Sequence, residues 1–190
     1  MRFQGEVLLR LLLVVSIIIL LIYGCAAGFH VDTYTNDDGM TISNTIGNEI
    51  YVIGGGKDIP GGEIIKYGKS CFLDVKRCED VNGNVTYFLL LKYIGPDWFN
   101  IDAGPSLTLV IDDETKTLSA KGPLKKQKEG NSFTESLDYS VSHDVLIKMI
   151  NAEEIKVMIS GEHGDLTAYF TAKNFTTFRR FVNEFAKLDA

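Results

Sequence analysis

Histidine and cysteine are scarce in this chain: three of each among 190 residues. Histidines at 30, 143 and 163 and cysteines at 25, 71 and 78 have no companion ligand at the two-to-four-residue spacing of a structural zinc site. No metal and no cofactor is expected. A G-x-S-x-G nucleophile elbow is also missing. Ser142-His143-Asp144 are adjacent residues whose side chains splay apart at a helix start, so capping, not a catalytic triad, is the expected role. His163 has Asp165 and Ser160 nearby in a turn, and no motif fixes a catalytic geometry there. Gly54-Gly55-Gly56-Lys57 lacks the order that cradles phosphate, and turn glycine is a sufficient account. Asp112-Asp113-Glu114 lacks the alternating ligands and central glycine of a calcium loop.

An excess of positive charge is lacking too. The net charge is −6, which makes nucleic acid an unexpected partner. The one basic cluster, Lys121, Lys125, Lys126 and Lys128, stands in a Gly/Pro-containing stretch with no aromatic residue interleaved. It reads as a solvated loop. Composition is otherwise that of a globular protein, 45% hydrophobic and 23% charged. A body of that size buries about 70% of its unfolded surface and folds without a staple, so each cysteine needs a separate explanation.

Cys25 has one. Arg2 and Arg10 flank Glu6, and Leu11 to Tyr23 then runs without a charge and with Ser16 as its only polar residue. This is the order of a secretory leader. The segment Ile22-Tyr23-Gly24-Cys25-Ala26 resembles the lipobox of bacterial lipoproteins. The resemblance implies cleavage before Cys25, a thioether from its thiol to diacylglycerol, and a chain held to a membrane by several acyl groups. It implies an exported protein on the outer membrane or cell surface, and it covers the leader alone. Two readings stay open beside it: an uncleaved membrane helix, and release after Ala27 by ordinary small-x-small cleavage. The expected organisation is therefore a leader over residues 1–24, anchor and linker over 25–30, and one β-rich domain over 31–190.

The body alternates short β-rich runs with turn residues. Strands are expected at 31–35, 40–45, 49–53 and 63–67. Asn82-Gly83 predicts a two-residue type I′ turn between 71–81 and 84–94, which sets Cys78 opposite Tyr87, Val75 opposite Leu90 and Phe72 opposite Tyr93. A second hairpin joins 107–111 to 116–120. Apolar residues at 145, 146, 149 and 150 behind Ser142 predict a short helix over 143–151. Ile155, Val157 and Ile159 alternate as in a half-buried strand, returning through 166–171. Phe175, Phe178, Phe181, Val182 and Phe185 predict a terminal amphipathic helix over 174–188, capped by Asn174 and laid on a sheet. The fold class is α+β: mainly antiparallel, sandwich-like sheet with one short helix and one C-terminal helix.

On one continuous strand, Cys71 and Cys78 stand about 23 Å apart, too far for a disulfide, so two unpaired thiols are expected. Tyr87, Tyr93, Trp98 and Phe99, with Pro96-Asp97 and Gly104-Pro105 around them, form a possible ligand surface beside their ordinary reading as core. Two functions follow: a lipid-anchored envelope protein that binds a small ligand or another envelope protein without catalysis, or a tethered hydrolase acting on polysaccharide or peptide through Asp and Glu carboxylates.

Overall fold

A computed structural model describes residues 29–55, 69–162 and 164–186. The leader with Cys25, the strand expected at 63–67, and His163 lie outside the described residues. Among those described, the chain forms eleven strands and two helices. The strands are β1 (Val31–Thr35), β2 (Thr41–Thr45), β3 (Glu49–Gly55), β4 (Ser70–Glu79), β5 (Val85–Gly95), β6 (Leu107–Ile111), β7 (Glu114–Leu118), β8 (Ala120–Glu129), β9 (Ser132–Val141), β10 (Ile155–Gly161) and β11 (Gly164–Tyr169). The helices are α1 (His143–Asn151) and α2 (Ala172–Phe185).

All ladders are antiparallel, and nine strands follow one path, β7-β6-β10-β11-β3-β4-β5-β9-β8, with β2 and then β1 branching from β4. Laid flat, such a path would hold β6 and β9 six strand spacings apart, about 29 Å. Ser106, the residue before β6, nevertheless meets the Tyr139 hydroxyl of β9 at 2.8 Å. The two path ends are also joined by a single residue, Ser119. The sheet is therefore curled into a nearly closed barrel, not split into the two stacked layers of the expected sandwich. Period-two alternation drives the curl, because every apolar stripe must find the same interior. Leu73 and Val75, Leu89 and Leu91, Leu137 and Tyr139, Leu107 and Leu109, and Val157 and Ile159 are all buried.

The β4 edge is shared in succession: β2 pairs with Lys76–Glu79 and β3 with Cys71–Phe72. Where one strand hands over to the other, side chains replace the ladder. Asp74 accepts from the Thr45 hydroxyl at 2.9 Å and from the backbone N–H groups of Gly47 and Asn48 at 3.2 and 3.1 Å. Thr45 Oγ1 in turn accepts from Val75 N–H, and the Asn48 amide donates to the Leu73 carbonyl. This satisfies the buried polar groups that the missing ladder bonds would leave orphaned.

The expected hairpin of β4 and β5 exists, but its register differs by one. Cys78 faces Thr86, Val75 faces Leu89 and Phe72 faces Lys92. The physical cause is Asp80, whose Oδ1 accepts from Asn82 and Asn84 N–H at 2.8 and 2.9 Å. Asp80 and Asn84 thereby close a three-residue loop with Gly83 at φ 81°, the geometry of a type I turn with a glycine bulge. The second hairpin turns on Asp112-Asp113 alone, and Glu114 belongs to β7. Lys116 and Lys148 flank Glu114 at 2.7 and 2.5 Å and hold its carboxyl down at about 2.

The lysine cluster lies not in a loop but on β8, an edge strand of the path, where exposed lysines discourage pairing with another chain. Gly122 and Pro123 occupy the register shift between Lys121 and Lys125. Helix α1 matches its expected span, capped by Ser142. Helix α2 starts earlier than expected: Thr171 is the N-cap, and Asn174 completes a capping box three residues inside. The Asn174 side chain is buried and donates to Asn48 and to the Glu49 carbonyl, so it pins the helix to the strand handover as well as capping it. Phe178, Phe181 and Val182 carry the buried face of α2. Cys71 and Cys78 are free and buried, and burial pushes the Cys71 thiol up to about 12.

Candidate functional site

Strand β5 ends at Gly95, and the segment 96–102 then crosses to the end of β10. There Ile101 bridges Gly161 and Asp102 N–H donates to the Ser160 carbonyl at 3.1 Å. Phe99 and Ile101 are the buried residues of this arm. Two glycines let it approach. A Cβ on Gly161 would stand 2.6 Å from the Phe99 ring, and one on Gly95 would stand 2.0 Å from the Tyr93 hydroxyl. Tyr93 thus lies along its own strand over Gly95, covering a position that has no side chain to pack.

Glu135 of β9 fastens the arm. It is fully buried, and its two carboxylate oxygens accept from consecutive backbone N–H groups, Asn100 and Ile101, both at 2.8 Å. Asn100 can present its N–H this way because it adopts φ 56°, a left-handed conformation that asparagine tolerates better than most residues. The rest of Asn100 is engaged as well. Its Oδ1 accepts from Lys126 at 2.5 Å, its Nδ2 donates to Glu162 at 2.6 Å, and its carbonyl accepts from Glu162 N–H at 3.0 Å. Every polar group of Asn100 therefore serves the wall of the site, which is held in place without a ligand.

Above this scaffold opens a cleft of about 500 Å³ lined by Lys69, Tyr93, Asp97, Trp98, Phe99 and Asn100. The volume lies in the range of roughly 300–1,000 Å³ that accommodates small molecules. The cleft has depth in the chemical sense. Lys69 and Asp97 are exposed at its mouth, Trp98 is half-buried, and Phe99 and Tyr93 are buried. Phe133 meets Trp98 edge-on at 4.8 Å between centroids, and the Lys126 ammonium stands 5.0 Å from the indole centroid, a cation–π contact. Tyr93 is 2% exposed, and burial, then the neighbouring Cys71, Glu135 and Asp97, push its phenol up to about 12. No hydrogen-bond partner for its hydroxyl exists among the described residues, yet no side-chain oxygen there is both sealed and unsatisfied. The hydroxyl thus keeps a residual exposure, on a side chain that lines the cleft.

Three of the four expected surface aromatics, Tyr93, Trp98 and Phe99, meet here. Tyr87 does not: it stands near the start of β5 against His143 of α1, 5.8 Å between ring centroids. Cys25 lies outside the described residues. Lys69, Asn100 and Glu135 were not expected to contribute, and Asp97 was expected only as a neighbour of the aromatic residues. Glu135 was traceable, since Phe133, Glu135, Leu137, Tyr139 and Val141 alternate, and a carboxylate on the buried side of such a strand must meet donors inside.

The arrangement can bind and orient, through ring faces, one phenol and two rim charges. The cleft holds one carboxylate among the described residues, Asp97, whereas general acid–base hydrolysis of glycosides needs two. Asp74, the carboxyl that burial raises above its usual value of 3.8, is committed to the strand handover. No group of three His, Cys, Asp or Glu side chains among the described residues is arranged to hold a metal. No family model matches the chain, and no curated protein and no solved structure matches it.

Proposed function

We propose that this chain is an exported binding protein, tethered through Cys25 on the outer side of a membrane, that takes a small ligand in the Tyr93–Trp98–Phe99 cleft. The observation that carries the binding half is a cleft of about 500 Å³ lined by Tyr93, whose hydroxyl has no partner among the described residues, beside a wall prefastened by Glu135. A fold with no use for that space would fill it or pair the phenol. The tether rests on the lipobox-like Ile22-Tyr23-Gly24-Cys25. Among the described residues no helix is long and apolar enough to cross a membrane.

Each half has its own experiment. Intact mass of the membrane-extracted protein tests the tether, the expected product being a chain that begins at acylated Cys25. A start at Met1 or at Gly28 rejects it. For the cleft, Trp98 is the only tryptophan in the sequence, so its emission reports occupancy without a label. Titration with neutral disaccharides, free amino acids and inorganic phosphate should give a saturable change for one of these classes. Flat titrations with all three would remove the cleft from consideration.

A further inference from the structure

Resting on the reading of the cleft as a ligand site, we infer that its ligand is a neutral saccharide, seated on the Trp98 face opposite Lys126 and with one hydroxyl on the Tyr93 phenol. The cleft's charges argue first. Among the described residues its lining carries one cation, Lys69, and one anion, Asp97, and Lys126 over Trp98 and Glu162 on Asn100 add one of each sign, so a ligand of either net sign meets a like charge together with its partner. Anions and cations gain no net preference there. A zwitterion could match both, but its charges would then sit at the exposed mouth. The buried phenol would be left with nothing to bind.

Depth argues second. A wholly apolar ligand would cover the Tyr93 hydroxyl without replacing water, which a buried polar group does not tolerate cheaply. A sugar ring meets both demands: its axial C–H face is apolar and suits an aromatic surface, while its rim of hydroxyls both donates and accepts. Tyr93 offers the same dual capacity, and its raised titration keeps the proton on the oxygen throughout the neutral range. The Asp97 carboxylate and Lys69 ammonium at the mouth can accept from and donate to outer hydroxyls of the same ring, or of the next sugar in a chain. The wall is rigid in the way this recognition requires, since Asn100 is fixed by Glu135, Lys126 and Glu162.

The test is a titration of the full chain in a sugar-free detergent, read by Trp98 emission, with a panel of neutral disaccharides, zwitterionic amino acids and inorganic phosphate. Disaccharides should saturate, and Tyr93→Phe, which keeps the ring and removes the hydroxyl, should weaken them by about fivefold or more. Circular dichroism and thermal melting of the variant establish that it is folded. Asp97→Asn should cost less than Tyr93→Phe, because its group is exposed. Saturation by amino acids or phosphate without any sugar overturns the saccharide assignment and leaves the cleft standing. Silence from every probe overturns both. Equal sugar affinity in Tyr93→Phe and the parent overturns the seating on the phenol.

Discussion

At Gly95 the chain gives up a side chain so that Tyr93, two residues earlier on the same face of β5, can lie along the strand. Gly95→Ala would put a methyl group 2.0 Å from the phenol oxygen and 2.5 Å from the ring carbon bearing it. The ring is packed against Phe99, 5.4 Å between centroids, and cannot swing aside freely. The expected cost is about 1–3 kcal/mol, the range of an overpacked core, read from urea midpoints. Tyr93→Leu should recover part of it in the double variant, because the shorter side chain leaves room for the methyl group. A Gly95→Ala protein as stable as its parent would mean that Tyr93 has another place to go. Asp74 makes a different residue-scale prediction. Burial raises its pKa above the ordinary 3.8, against the opposing pull of Thr45, Asn48, Gly47 and Lys92. A carboxyl whose folded pKa exceeds its unfolded value holds its proton more tightly when folded. Its contribution to stability is therefore best below about 3.8 and worsens as pH rises through the folded pKa. Asp74→Asn cannot titrate, so the stability of the variant relative to the parent should increase steadily between about pH 3 and the folded pKa. A difference that stays flat, or runs the other way, would show that the donors around Asp74 outweigh its burial.

The β4–β5 hairpin shows how one side chain sets the register of a whole element. The loop Val81-Asn82-Gly83 is bracketed by Asp80 and Asn84, with Asp80 N–H donating to the Asn84 carbonyl at 3.0 Å. Val81 is 73% exposed and is the residue that makes the loop three long instead of two. Deleting it leaves Asn82-Gly83 as a two-residue connection of the type that Asn-Gly favours, with Glu79 still opposite Val85. The shortened protein should retain that pairing by cross-strand NMR contacts and lie within about 1 kcal/mol of the parent. A shift of Cys78 onto Tyr87 would show that the Asp80 bracket does not fix the register. This element also marks where sequence reading stopped. Asn-Gly announced a turn, and no local pattern revealed that Asp80 would capture two N–H groups and widen it. By contrast Ser142, the apolar spacing behind it, and Ile155, Val157 and Ile159 suffice for α1 and β10, because capping and period are local. Strands β8 and β9 differ. Lysines hide the first, whereas the second alternates and carries Glu135 on its buried side, with donors that no local pattern names. The site follows the same rule. Tyr93, Trp98 and Phe99 are near in sequence and line one cleft, while Tyr87 lies six residues back along a strand, about 20 Å away. Lys69 and Glu135 reach the cleft from distant parts of the chain, and only the ladder order brings them there.

Closure of the barrel is a property of the whole chain, because no single hairpin contains it. Residues that meet across the seam, Ser106 before β6 and Tyr139 on β9, are separated by six strand spacings of the ladder path yet share a buried hydrogen bond of 2.8 Å. Ala120 N–H reinforces the same corner by donating to the Gly104 carbonyl at 2.8 Å. Burial raises the Tyr139 phenol above its usual value, with Ser106 pulling the other way, so the hydroxyl stays protonated and available at neutral pH. If this contact joins the two sides, removing Ser106 leaves the Tyr139 hydroxyl buried and unpaired, and removing the phenol leaves Ser106 with only a long 3.5 Å bond to the Gly104 carbonyl, at about 1–3 kcal/mol each. Removing both leaves no orphan. Tyr139→Phe and Ser106→Ala should therefore each destabilise the protein, and the double variant should lose about 1 kcal/mol less than their sum. Measured by chemical denaturation, strict additivity would show that the seam is held by packing of Leu107, Leu109 and Leu137 alone. A positive coupling would instead tie the closure to this bond, and with it the geometry that brings the ends of β5, β9 and β10 around one cleft.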